Sequence, residues 1–419
     1  MSATKKTVLR TFLYLTLGPF MLGAALEMAG QSPPEKSLDQ VQEMTLASDP
    51  GVVQHRLQAS AALRAEASAG TWADPMLSFG VFAAPIETRN GPQQATASLM
   101  QPLPLFGATN VDAALHAKRT ARANILTDQT QASAVHQATL AWWNWQLNAA
   151  NSHLLSDELA LIQDMQDLTK QAYTNGQADA LALVLLDSEL AHRKGLHAQA
   201  QANKQLWLQQ LHLLSGDSAW TPQPGALVPA ASGSFWQWQH QDTTLFFSER
   251  LAINAANTAS LQEDLSQIGT KPQVSVGLQY FAIGPSQGTA SDNGQDAWLP
   301  SIRLSLPIHS KRNSAIREAA TLRTQAAASQ TAEARQQRVF ILQELQRRWK
   351  ILAVECTRIE AQLELSEQAI ALAEAAYTQD SRDLEFVLRL YRKHIELELE
   401  LLQLYTQAHS TLATLNLMQ

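Results

Sequence analysis

From Ile308 to Gln419 the chain contains no glycine and no proline, and from Leu105 to Thr221 it contains no proline and only four glycines. These are the residues that end helices, and an average globular helix runs for only about 11 to 12 residues. The segment from Asn110 to Tyr173 would alone extend roughly 96 Å as a helix. A helix of that length cannot fold back into an ordinary domain and needs neighbours along its whole course. Apolar spacing shows where those neighbours lie. Ile341, Leu345, Trp349, Leu352, Cys356, Ile359, Leu363, Ser366, Ile370, Ala373 and Tyr377 step by fours and threes, the period of a left-handed coiled coil. The last helix carries two such stripes side by side, Leu384, Leu388, Tyr391, Ile395, Glu398, Leu402, Tyr405 and Val387, Leu390, His394, Leu397, Leu401, Leu404. A two-stranded zipper needs one seam, whereas two adjacent seams place a neighbour on each side, as in the wall of a bundle or tube.

The helical stretches belong to a unit written twice. "DPMLSFG" at Asp74 is answered by "KPQVSVG" at Lys271, "QPLPLFGATN" at Gln101 by "LSLPIHSKRN" through its Leu-Pro pair, and "AYTNGQADALALVL" at Ala172 by "AYTQDSRDLEFVLRL" at Ala376. Trp145 and Trp349 fall in register between them. Each repeat opens with a pair of alternating segments. In Gln273 to Phe281, Val274, Val276, Leu278 and Tyr280 share one face while Gln273, Ser275, Gly277 and Gln279 share the other, and Ser301 to Leu306 repeats the pattern. Period two with one apolar and one polar face describes either a half-buried sheet or a membrane barrel. About nine residues per strand is the length a membrane strand needs. The expected organisation is a first repeat at 30–214, with strands near 76–84 and 94–101 and helices 110–173 and 178–214. A Pro-, Gly-, Ser- and Trp-rich connection at 215–244, folded along the outside, leads to a second repeat at 245–419, with strands near 273–281 and 298–306 and helices 311–377 and 382–417. The Tyr-Thr positions mark where each long helix turns back. Gly176 supplies the positive φ of a helix end, and Asp380 with Ser381 can cap the returning helix.

Lys5, Lys6 and Arg10 precede an apolar run from Thr11 to Leu26 that ends in small residues, the layout of a signal peptide over 1–29. Elsewhere no run of 18 apolar residues occurs, so any membrane span of the exported chain must be made of strands. A formal charge of -7 gives no footprint for nucleic acid. The single cysteine, Cys356, excludes an intramolecular disulfide and a Cys-rich metal site, and its seam position reads as core. Eleven histidines show no ligand spacing, His192 and His197 being five apart. Trp142, Trp143 and Trp145 could stack a ligand but fit better as wall packing. No nucleophile elbow, P-loop, dinucleotide fingerprint or paired-carboxylate motif appears, so no enzyme and no cofactor is expected.

The helix beginning at "SDPGVVQHRL", the strand-ending "SLMQPLPLFGATN", the turn "AYTNGQADALALVLLDSEL" and their second-half counterparts resemble the TolC-like outer membrane efflux proteins over about Asp49 to Leu417. The resemblance implies a mainly α protein with a small membrane β-barrel portion. In it, two tandem repeats per chain build a homotrimeric twelve-strand barrel in outer membrane lipid, joined to a periplasmic α-helical tube. It implies a passive exit duct for metal ions or small toxic compounds, leaning toward the heavy-metal (CzcC-like) branch. Its partners would be a periplasmic adaptor and an inner membrane pump, proton-driven. Carried over by position, Tyr173, Asn175, Gly176 and Gln177 form one adaptor-contacting tip and Tyr377, Gln379, Asp380 and Ser381 the other, although relatives usually have glycine where Asp380 stands. Asp179, Asp187, Arg382, Asp383 and Arg389 are candidate gate charges, with ordinary solvated faces as the alternative. Two other readings stay open: a duct for secreted protein or peptide, and a periplasmic coiled-coil scaffold without transport.

Overall fold

In the computed structural model, residues 33–176, 179–225, 227, 235–238, 244–287, 291, 293–377 and 384–419 are described. The expected signal peptide and 13 of the 30 residues of the connection lie outside them. Chain contacts divide into two compact units, Met1–Ser48 with Gln137–Ala230 and Arg358–Thr406, and Asp49–His136 with Ala231–Thr357 and Gln407–Gln419.

The second of these units holds the four-stranded sheet. Helix α2 (Pro50–Ala67) starts where the Asp49 carboxylate accepts the Val52 N–H at 2.8 Å, with Pro50 in the first turn where its missing N–H costs nothing. Strands β2 (Met76–Thr88) and β3 (Gly91–Leu103) follow, then helix α3 (Ala108–Thr174). The same order recurs as α5 (Phe247–Gly269), β5 (Gln273–Ile283), β6 (Ala297–Ser305) and α6 (Ser310–Tyr377). The four strands form one antiparallel sheet in the order β2-β3-β5-β6. The first hairpin extends beyond its alternating pattern, with ladder pairs continuing past a register shift between Val81 and Ile86. Around the sheet's helices, Phe246, Leu342, Leu345 and Leu415 form an apolar cluster, and the indole N–H of Trp349 donates to the Trp236 carbonyl at 3.0 Å. Glu249, almost wholly buried, is neutralised by Arg335 and Arg338 at 3.1 and 2.8 Å.

The other unit is helical apart from a short parallel pair, β1 (Glu35–Lys36) against β4 (Thr221–Pro222). Its helices are α1 (Leu38–Ser48), α4 (Ala180–Ser215), α7 (Leu384–Met418) up to Thr406, and the adjoining parts of α3 and α6. Val41, Ala141, Trp142, Trp145, Leu211 and Trp220 make its main core. Trp142 and Trp145 are therefore packing residues with ring centroids 6.5 Å apart, and no surface is left on them for a stacked ligand. Trp220 corrects the expectation that the whole connection runs along the outside. Its indole donates to Ser215 Oγ and to the Asp217 carbonyl, so the ring can be buried with its one polar atom satisfied.

The coiled-coil stripe of α6 is buried at Leu345, Trp349, Leu352, Cys356, Ile359, Ile370 and Ala373. On α7, Leu388, Ile395 and Tyr405 from one stripe and Val387 and Leu397 from the other are all buried, so this helix packs on two sides within a single chain.

Candidate functional site

The sheet separates its side chains by face. Leu77 and Leu99, Leu99 and Leu278, Val276 and Ile302, and Val274 and Leu304 are cross-strand partners, and because side chains alternate along a strand these residues share one face with Phe79 and Val81. That face is exposed: Val81 retains 84% of its surface and Ile302 77%. On the opposite face Ser78 hydrogen-bonds Ser98, Gln279 donates to Thr96, and Ser275 stands across from Arg303. Aromatic side chains bracket the apolar band. Tyr280 and Trp298 pack at 4.9 Å near the hairpin ends, and Trp72 and Phe106 are exposed near the helices. Among the described residues the outer edges of β2 and β6 are unpaired. A sheet apolar on one face and polar on the other suits lipid against one side and water against the other.

No helix of the described residues is long and apolar enough to cross a membrane, and no three His, Cys, Asp or Glu among them converge to hold a metal.

The first hairpin turn is described up to Gly176. Gly176 adopts φ +71 and donates its N–H to the Tyr173 carbonyl at 3.0 Å, and Asn175 closes the last turn of α3 onto Gln171 at 3.2 Å. Tyr173, Asn175 and Gly176 are exposed. Asp179 stands at the N-cap of α4 without a side-chain cap bond, Asp187 accepts from Gln166, and the Arg389 guanidinium lies 5.5 Å from the Phe386 ring centroid. These three candidate gate charges thus have local partners or a local capping position. Tyr377 is the last residue of α6. Gln177, Gln379, Asp380, Ser381, Arg382 and Asp383 lie outside the described residues.

A charged cluster sits in the helical seam between α3, α4 and α7. Arg193 Nε on α4 contacts Glu158 Oε1 on α3 at 2.8 Å and Glu189 Oε1 at 2.9 Å, while Arg392 Nη2 on α7 reaches Glu189 Oε2 at 2.9 Å. Glu158, Glu189 and Arg193 are all more than nine-tenths buried. Glu158 Oε2, Arg392 Nε and His394 Nδ1 are buried without a hydrogen-bond partner. Burial pushes the Glu158 carboxyl up to about 7; Arg193 and Arg392 oppose the shift, and Glu189 and Glu398 add to it. Burial likewise raises Glu398, which lies 3.7 Å from His394. Sequence reasoning missed this cluster, although its signal was present: Glu158 occupies the seam spacing between the buried Leu155 and Ile162.

Duplicated strand hairpins feeding paired long helices are the architecture of this chain. No protein-family model matches the chain, and no curated protein sequence matches it. Solved structures do. The chain is 15% identical to the transmembrane channel protein CusC, with TM-score 0.74 over 92% of each chain. It is 16% identical to the outer membrane protein VceC from the bacterial pathogen Vibrio cholerae, with TM-score 0.73 over 90% of this chain and 94% of that one. Against the open state of the MtrE outer membrane channel of Neisseria gonorrhoeae, the identity is 15% and the TM-score 0.69 over 91% and 88%. The chain has the fold of the TolC-like outer membrane channels.

Proposed function

We propose that the protein is the outer membrane exit duct of a tripartite efflux system, passively conducting small solutes or metal ions that an inner membrane pump and a periplasmic adaptor deliver. The exposed apolar face of a four-stranded sheet with two open edges carries this reading. Open edges cannot sit in hydrocarbon, because each unpaired N–H and C=O would cost several kcal/mol. Four strands per chain cannot close a barrel alone. Three copies contributing β2 and β6 edges to one another would make a closed barrel of twelve strands, apolar outside and lined by Ser78, Ser98, Thr96, Gln279 and Arg303 inside. In this reading residues 1–29 are an export signal. Residues 30–214 and 245–419 are the repeats, joined through 215–244, and the turns at Tyr173 to Gln177 and Tyr377 to Ser381 meet the adaptor. Chemistry is absent from the role; the pump supplies the work and the duct a water-filled path.

Fractionation of expressing cells tests it. The protein should band with outer membranes and run unboiled at the mass of a trimer. Recovery as a soluble monomer or dimer would overturn the duct and leave the coiled-coil scaffold.

A further inference from the structure

The apolar face of the sheet does not stop where the strands stop. Its last rung toward the helices is Leu103, Val274 and Leu304, joined across β3, β5 and β6. Beyond that rung Leu105, Phe106, Leu306 and Ile308 stay exposed on the turns into α3 and α6, Ile308 at 76%. A cavity of about 160 Å³ opens here, lined chiefly by Leu103, Leu105, Phe106, Ile268 and Val274, with Ser275 on its polar side. Apolar space of that size suits a hydrocarbon group better than water.

Cations close off this apolar end. The Lys271 ammonium lies 4.9 Å from the centroid of the Phe106 ring, and Phe106 holds its ring at the surface from a backbone of φ +61, which side chains resist. Lys311 and Arg312 follow Ile308 in the first turn of α6, where no acidic residue answers them. All three cations are exposed, and among the described residues no carboxylate pairs with any of them. The first repeat differs at each place. Asp74 stands where the second has Lys271, and Ala108 and Thr109 stand where it has Lys311 and Arg312. The charge is therefore local to the root of the second hairpin.

An exposed apolar surface bounded by unpaired cations is complementary to a hydrocarbon chain with an anionic head. We propose that the root of the second hairpin binds an anionic phospholipid of the leaflet that meets the helices, its phosphate on Lys271, Lys311 and Arg312 and one acyl chain over Ile308 and Phe106 into the cavity. This rests on the exit-duct reading, which puts the apolar face of the sheet in lipid. Lysine and arginine at the end of such a face lay their stems along hydrocarbon and extend their charges to the headgroups. A zwitterionic lipid covers the same apolar surface but leaves the positive charge unanswered, so the site selects by headgroup charge.

Native mass spectrometry of the purified full-length protein tests it, with phosphatidylglycerol and phosphatidylcholine of equal chain length offered in equimolar amounts. Phosphatidylglycerol should be retained at least about tenfold over phosphatidylcholine, since each basic residue beside an anionic lipid surface contributes about fivefold. The preference should shrink as salt rises. Replacing all three cations, Lys271→Gln, Lys311→Gln and Arg312→Gln, should bring the two lipids to near parity. Arg323→Gln with Lys350→Gln, exposed cations farther along α6, should leave the preference in place. Equal retention by the wild type overturns the site, and this comparison stands alone if the triple variant does not assemble. A preference that survives the triple variant, or that falls as far in the double variant, overturns it equally. Glycerol phosphate, the head without chains, should not compete; displacement of phosphatidylglycerol by an equimolar amount would mean that the cations read phosphate alone and would sink the lipid assignment. The same spectra report the oligomer. A trimer without the preference removes this site and keeps the duct, whereas a monomer that retains no lipid fails both.

Discussion

Glu158 and Arg193 meet across the α3 and α4 seam at 2.8 Å, each more than nine-tenths buried. Their contact is expensive to break, because removing the guanidinium leaves Glu158 beside Glu189 with no cation in contact with it, Arg392 reaching Glu189 only. Arg193→Met should cost about 3 to 5 kcal/mol, the usual penalty for orphaning a buried ion. Replacing Glu158, Glu189, Arg193 and Arg392 together with methionine should recover most of that loss, since Arg392 leaves with its Glu189 partner and a packed apolar seam needs no counter-charge. Urea unfolding followed by circular dichroism checks both. A quadruple variant no more stable than Arg193→Met would show that the ions themselves hold the seam.

The same carboxyl makes stability pH-dependent with a defined sign. Glu158 is raised from 4.5 in the unfolded chain to about 7 in the fold, so the folded state binds the extra proton between these values. The stability contributed by this proton is complete below about pH 4.5 and is lost as pH rises toward 7. Integrated over that window the loss is roughly 3 kcal/mol. Urea midpoints should fall from pH 5 to pH 8 in the wild type and remain flatter in Glu158→Gln. A midpoint that rises over this range would reverse the sign and refute the assignment.

Much of the fold was legible because its signals are long. The absence of Gly and Pro from Ile308 to Gln419 reads as helix, and α6 and α7 occupy 310–377 and 384–418. Val274, Val276, Leu278 and Tyr280 read as one face, and the ladder pairs them with Leu304, Ile302, Pro300 and Trp298 on the same face. What escaped was short-range and polar. A glutamate at a seam position reads as a gap in an apolar pattern, so Glu158 does not stand out along α3, and Glu398 and His394 read as members of stripes. Whether such a charge is buried against a partner depends on which helix lies opposite, and periodicity along one helix does not carry that. Trp220 departs from its segment for a related reason: its burial rests on hydrogen bonds to Ser215 and Asp217 in a stretch whose composition reads as exposed loop.

The two faces of the sheet should respond differently to charge. Ile302 lies on the apolar face with 77% of its surface open, whereas Ser98 lies on the polar face bonded to Ser78 at 2.7 Å. Ile302→Lys should cost about 2 to 4 kcal/mol, the range for a basic residue on the lipid side near the bilayer midplane. Ser98→Lys should be tolerated in water and change conductance instead. Heat-modifiability on unboiled gels measures the first, planar-bilayer recording the second. Equal loss of the folded band in both variants would contradict a lipid-facing and a water-facing side.

Gly176 separates the backbone geometry of a turn from the contacts it makes. Its φ of +71 is a conformation that side chains resist, while an added Cβ would meet no atom within 4 Å. Substitution is therefore penalised by backbone strain alone. Gly176→Val should cost about 1 to 2 kcal/mol locally, the price of left-handed backbone for an ordinary residue, whereas Gly176→Asn should cost less because asparagine tolerates that region. The strain falls on the bond from the Gly176 N–H to the Tyr173 carbonyl, so amide exchange there should quicken while the seam around Arg193 stays protected. In cells, if the turn meets an adaptor, Gly176→Val should lower efflux-dependent resistance at unchanged outer membrane abundance, and Gly176→Asn should retain it. Loss of abundance together with resistance would instead assign Gly176 to assembly, and unchanged resistance in Gly176→Val would remove this turn from the docking surface.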